Sequence, residues 1–190
     1  DTLVAQRLDE ASGKLVGSAA TIAPVAGNPK DWFAVSSDGD RVVAFVRQAP
    51  DDTGQPGDPV ARLIWTDRQG NTTGTLGDPG RYWTMQVSPD GSSAVVNPGW
   101  DLWWLRPDGR HTRLTTTAPA VSSVGPIWKA DASELVYSQG GEIVRRRVDP
   151  QSAVTRLRQR GTPHDWSKDG RWLLFTGRAN PASTTTDIIV

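Results

Sequence analysis

The chain has no cysteine, so a disulfide framework, thiolate chemistry and Cys-based metal sites are all excluded. Histidine is almost as scarce, with only His111 and His164, which leaves little from which to build an imidazole metal centre or acid–base pair. Of 21 acidic residues only Glu10, Glu134 and Glu142 are glutamate; the rest are Asp, whose short side chain caps turns and disfavours helix interiors. Neither sign of charge is in excess, because 21 Lys plus Arg balance the acids, and this removes the electrostatic case for nucleic acid or an anionic membrane surface. No apolar run approaches the roughly 20 residues needed to cross a bilayer, so no direct membrane insertion is expected. The chain opens at Asp1 with neither a start Met nor a signal peptide, and a piece of a longer protein is the expectation.

What is present is turn chemistry and a repeat. Nineteen Gly and 14 Pro in 190 residues describe a turn-rich β protein, long enough for one sizeable core and short for two. Four segments align without a gap: VSSDGDRVVAF (Val35 to Phe45), VSPDGSSAVVN (Val87 to Asn97), WKADASELVYS (Trp128 to Ser138) and WSKDGRWLLFT (Trp166 to Thr176). Their aspartates Asp38, Asp90, Asp131 and Asp169 recur at intervals of 52, 41 and 38 residues, close to the period of roughly 40 to 50 of a four-stranded propeller blade. Gly39, Gly91 and Gly170 follow the Asp and supply the positive φ of a tight hairpin; Ala132 is the one departure. The turn is followed by unbroken apolar triplets (Val42 to Ala44, Ala94 to Val96, Leu135 to Tyr137, Leu173 to Phe175), as in strands covered on both faces. Three positions before the Asp, Val35, Val87, Trp128 and Trp166 are large enough to fill the space between blades.

A third strand follows each hairpin at 62–67, 101–105, 142–145 and 187–190, and a short outer strand at 72–76, 111–115 or 154–157 completes the meander. The opening Leu3 to Val16 reads as the last two strands of an earlier blade. The fold expected is therefore all-β: a β-propeller fragment of four-stranded antiparallel blades, three full and one partial at each end. It forms one partial domain over 1–190, with blades at about 1–26, 31–77, 81–116, 124–159 and 163–190, and no helix.

The run ARLIWTDRQGNTTGTLGDPGRYWTMQVSPDG (Ala61 to Gly91), with DLWWLRPDGRHTRLT (Asp101 to Thr115) and DWSKDGRWLLF (Asp165 to Phe175), resembles the TolB-type, WD-like propeller repeats appended to bacterial serine/threonine protein kinases. The opening LVAQRLDEASGKLVG is similar to the start of those regions. The resemblance implies a sensor or interaction module binding a protein, peptide or small ligand, located outside the cytoplasm or in the periplasm. The motif itself is structural and carries no chemistry, and the Gly-rich loop, catalytic loop and Asp-Phe-Gly of a kinase core are absent from this chain.

Residues that could do chemistry are few. His164 with Asp165 opens the innermost strand of the last unit, where a metal or acid–base role is conceivable, but no second His, Glu pair or Ser nucleophile accompanies them, and a polar pair at a channel wall is the simpler reading. The Asp-Gly turns lack the oxygen-ligand spacing of a calcium loop. No catalytic residue, metal or cofactor is expected. Of nine tryptophans, Trp65, Trp103, Trp104, Trp128, Trp166 and Trp172 fall in strand columns and read as core, whereas Trp32, Trp83 and Trp100 fall in loops or at strand starts, where exposure is more plausible although structural packing is still the simpler reading. Arg145-Arg146-Arg147 reads as a solvated strand edge. In a meander the connections between second and third strands, and those between blades, share one end, and all the length variation is there. Recognition is expected at that end, with Arg81, Tyr82, Trp83, Trp100, His164, Asp165 and Arg178 as binding candidates. Two roles compete with a binding module: an accessory propeller gating substrate for a prolyl-oligopeptidase-type hydrolase, and an independent enzyme using the channel.

Overall fold

The computed structural model describes residues 2–9, 11–24, 33–35, 42–47, 61–67, 71–80, 82–106, 108–116, 123–177 and 187–189; Trp32, Asp38, Gly39, Arg81 and Arg178 lie outside them. Among the described residues there is no helix, and the chain divides into two compact units, Asp1–Arg81 and Tyr82–Val190.

In the first unit, β1 (Thr2–Asp9) and β2 (Lys14–Pro24) form an antiparallel hairpin. Its turn closes through the Gly13 and Ser12 N–H groups, which donate to the Asp9 carbonyl and carboxylate at 2.8 Å each. Strands β3 (Phe33–Val35), β4 (Val42–Arg47), β5 (Ala61–Thr66) and β6 (Thr72–Gly80) then pair in chain order as a four-stranded antiparallel sheet, with Leu63, Trp65 and Leu76 buried.

The second unit begins with another such sheet, β7 (Met85–Val87), β8 (Ala94–Val96), β9 (Trp103–Leu105) and β10 (His111–Arg113). It continues with β11 (Ser123–Trp128), β12 (Glu134–Gln139), β13 (Glu142–Arg147), β14 (Thr155–Trp166), β15 (Leu173–Gly177) and β16 (Asp187–Ile189), joined in one antiparallel succession. The sequence pattern separates an outer strand at 154–157 from an inner strand opening at His164, yet both belong to the 12 residues of β14. Its first half pairs with β13 and its second with β15, the change of partner falling between Arg160 and Gly161. Glycine makes this possible: a Cβ at Gly161 would collide with the Thr176 carbonyl, and one at Gly177 would lie 2.5 Å from the Arg160 carbonyl.

Within the second unit the first strands of successive sheets are neighbours. β11 packs against both β7 and the second half of β14. The Trp128 indole N–H donates to the Gln86 carbonyl at 3.1 Å, and a Cβ on Gly125 would lie 2.9 Å from Thr162 Cγ2. This side-by-side order buries both faces of a strand, which is why the triplets are apolar without alternation. Leu135 and Tyr137 pack with Val95, Leu102, Leu114, Trp128 and Val144 on one side of β12, while Val136 packs with Ile143 and Phe175 on the other. Truncating one of these, as in Leu135→Ala, costs about 2–5 kcal/mol.

Three repeat turns share one geometry. The N–H of Gly91, Ala132 or Gly170 donates to the carbonyl three residues earlier, at 2.8 to 2.9 Å, and all three residues have positive φ (65°, 58° and 74°). Each Asp side chain accepts the backbone N–H two residues on: Ser92 to Asp90, Ser133 to Asp131 and Arg171 to Asp169. These bonds hold all three carboxyls below the ordinary range. Lys129 and then Ser133 do so at Asp131, and Ser167 and the Arg171 N–H at Asp169. At Asp90, burial pushes the other way and is outweighed by Ser88 and Ser92.

Two strand residues differ from expectation. Arg146 is buried, at 6% exposure, and not part of a solvated edge. Its guanidinium donates to the Leu114 carbonyl and, at 2.6 Å, to the Asp149 carbonyl, tying one sheet to the turn of the next. Beside it, burial pushes the Tyr137 phenol up, with the Arg146 charge opposing the shift short of hydrogen-bond geometry. Trp172, expected in the core, is 54% exposed, because the turn that precedes β15 leaves it beside a cleft and not beneath a neighbouring sheet.

Candidate functional site

The sheet β7–β10 carries two exposed indoles at one end. Beyond the ladder of β7 and β8 the two chains stay paired: Trp83 N–H donates to the Asn97 carbonyl at 2.8 Å, and Asn97 N–H to the Thr84 carbonyl at 3.1 Å. The residues leading into β7 therefore lie beside the loop Asn97-Pro98-Gly99-Trp100 that leaves β8. Trp83 is 63% exposed and Trp100 59%, and Tyr82 beside them is half-buried.

The loop under Trp100 is anchored at both ends. Asn97 is buried and its side-chain oxygen accepts the Gly99 N–H at 3.3 Å. On the far side, the buried Asp101 carboxylate accepts from Thr115 Oγ1 at 2.8 Å and from the Arg113 guanidinium, Nε at 3.1 Å; Thr115 Oγ1 in turn accepts the Leu102 N–H at 2.9 Å. Leu102 is fully buried. Two large, exposed rings on a rigid base can stack on a ring or an extended backbone at small entropic cost.

The other candidates lie elsewhere. His164 is an exposed residue within β14, at an irregularity in its pairing with β15, and its Nε2 is 2.9 Å from Thr176 Oγ1. Asp165 is exposed and its carboxylate accepts the Trp166 N–H at 2.8 Å. Tyr82, Trp83 and Trp100 are thus brought to one sheet end, and His164 and Asp165 sit on another sheet. Among the described residues no group of three or more His, Cys, Asp or Glu side chains could hold a metal ion, and no helix is long and apolar enough to cross a membrane.

No family model and no curated protein sequence matches the chain. Solved structures do. An oligogalacturonate lyase from Vibrio parahaemolyticus aligns with a TM-score of 0.60 at 17% identity, over 94% of this chain and 53% of the lyase. The Cps50 (Swd1) β-propeller domain from Myceliophteria thermophila aligns with a TM-score of 0.60 at 10% identity, over 90% and 55%. A putative TolB from Agrobacterium tumefaciens aligns with a TM-score of 0.59 at 19% identity, over 98% and 76%. The chain spans about half the length of the first two. Such identities speak to fold alone: the protein is a β-propeller fragment of antiparallel four-stranded sheets, and its structural neighbours include TolB and other β-propeller domains.

Proposed function

We propose that the chain is a non-catalytic binding propeller of a larger bacterial protein, taking a protein, peptide or small ligand at the sheet end that carries Trp83 and Trp100. The observation that supports this reading is the pair of exposed indoles on adjoining, anchored loops; an indole left in water forgoes a burial gain of about 2–3 kcal/mol, which a partner would recover. The resemblance of Ala61 to Gly91 to kinase-appended repeats extends the proposal to a sensor role outside the cytoplasm.

The test is capture from periplasmic extract by the immobilised chain and by the double variant Trp83→Ala/Trp100→Ala, with bound species identified by mass spectrometry. A partner retained by the first and reduced at least tenfold by the second supports the reading; identical captures overturn it. Sequencing outward from the chain separates the parent proteins: a kinase core upstream of Asp1 favours the sensor, and a Gly-x-Ser-x-Gly elbow downstream favours a hydrolase accessory.

A further inference from the structure

A second site lies in the cleft between β12–β14 and the turn that joins β14 to β15, and its character emerges from comparing two interfaces built from the same repeat. Between the sheet β7–β10 and the strands β11–β13, the space is closed by Val95, Trp104, Leu114, Trp128, Ala132 and Leu135, which pack in one cluster. One repeat later the corresponding residues are Val136, Arg145, Leu157, Trp166, Gly170 and Leu173; Val136, Leu157, Trp166 and Leu173 pack with Ile143 and Phe175, yet all six also line a half-open cleft of about 170 Å³. The correspondence rests on register: Val95 and Val136 stand at the same distance after Asp90 and Asp131, and pair across the sheet with Trp104 and Arg145. Where the first interface has the Trp104 indole, held by a 3.0 Å hydrogen bond from Nε1 to Ser93 Oγ and covered by the Arg106 guanidinium at 3.8 Å, the second has an arginine. Ala132 is replaced by Gly170, removing a methyl group as well.

The cleft therefore lacks one aromatic ring that its own repeat supplies elsewhere. Its volume matches the roughly 150 Å³ in which an apolar cavity accommodates a benzene-sized ring. Arg145 brings a cation to the cleft, 44% exposed and paired only loosely with Glu134 at 3.9 Å; Arg171 also lines it, bound to Asp169 at 2.9 Å, next in sequence to the exposed Trp172. Among the described residues no carboxylate lines the cleft. We infer that this cleft binds a small aromatic carboxylate, its ring occupying the place of the Trp104 indole and its carboxylate engaging the Arg145 guanidinium.

The probes are indole-3-acetate and its uncharged counterpart indole-3-acetamide, titrated into the full chain labelled with 5-fluorotryptophan. The ¹⁹F resonances of residues 166 and 172 are identified by Trp166→Phe and Trp172→Phe. Saturable shifts of those two resonances are expected, with the acid bound about three- to fivefold more tightly than the amide. Arg145→Gln abolishes the preference and retains amide binding, while Arg145→Trp closes the cleft and eliminates both. Equal affinity for acid and amide, shifts centred on Trp83 and Trp100, no saturable shift with either probe, or undiminished binding to Arg145→Trp would overturn the inference. The Trp83→Ala/Trp100→Ala variant keeps this site, so its failure and that of the proposed partner-binding end are separable.

Discussion

Replacing Gly170 by Ala isolates the contribution of the left-handed residue in the repeat turn. Gly170 has φ of 74°, and a Cβ built there meets no heavy atom within 4 Å, so the substitution changes backbone preference and nothing else. Holding an alanine in the left-handed region costs about 1–2 kcal/mol, and the smaller conformational freedom of alanine in the unfolded chain returns about 0.4–1 kcal/mol. The net loss is about 1 kcal/mol, or roughly 2–4 °C in Tm for a chain of this size. Ala132→Gly is the mirror experiment, since Ala132 already has φ of 58° in the equivalent turn. Its half-buried methyl packs against the core cluster, so the gain is reduced by about 0.4 kcal/mol to roughly 0.5 kcal/mol. Both are read from urea midpoints at unchanged m. If Gly170→Ala left the midpoint unmoved, or Ala132→Gly lowered it by 1 kcal/mol or more, the account of the turn would be refuted.

Arg146→Ala should destabilise by about 2–3 kcal/mol, because it strips donors from the Leu114 and Asp149 carbonyls, and Arg146→Lys should recover little, since one ammonium cannot span both; denaturant titration of the two variants decides. The lowered carboxyls of Asp131 and Asp169 give a definite sign with pH: stabilisation is complete above the unfolded value near 3.9 and is lost as pH falls through the lower folded values. Tm should therefore be flat above about pH 5 and fall toward pH 2, and Asp131→Asn should lessen that fall; an identical slope in the variant would discount the turn. Trp83→Ala should leave stability within about 0.5 kcal/mol, measured by thermal melt, because most of its surface is exposed to solvent.

The Asp-Gly column and the apolar triplets made the fold legible, because a turn that needs positive φ and a strand buried on both faces each leave a strict residue requirement. Loop positions set Trp83 and Trp100 apart from the strand tryptophans, but packing is still the simpler reading of both from sequence, and their exposure is a finding of the structure. Trp172 and Arg146 escaped the same reasoning for one reason: whether a strand residue is covered depends on what the adjacent sheet offers. Arg146 finds the Leu114 carbonyl of the preceding sheet, and Trp172 lies beside a space where Arg145 stands in place of an indole. Aligning the third strands as well as the hairpins would have exposed the exchange of Trp104 for Arg145. The fusion of outer and inner strands in β14 was hidden because Gly161 reads as a breaker by itself, whereas opposite Gly177 it permits close approach of the backbones.

That unbroken strand has a mechanical corollary. Force applied to the rim of one sheet at Thr155 runs along a taut peptide to the innermost ladder of the next at Trp166, with no slack loop to absorb it. The two sheets joined by β14 should consequently yield together under load, as one cooperative step, where neighbours linked by ordinary loops would give way in sequence.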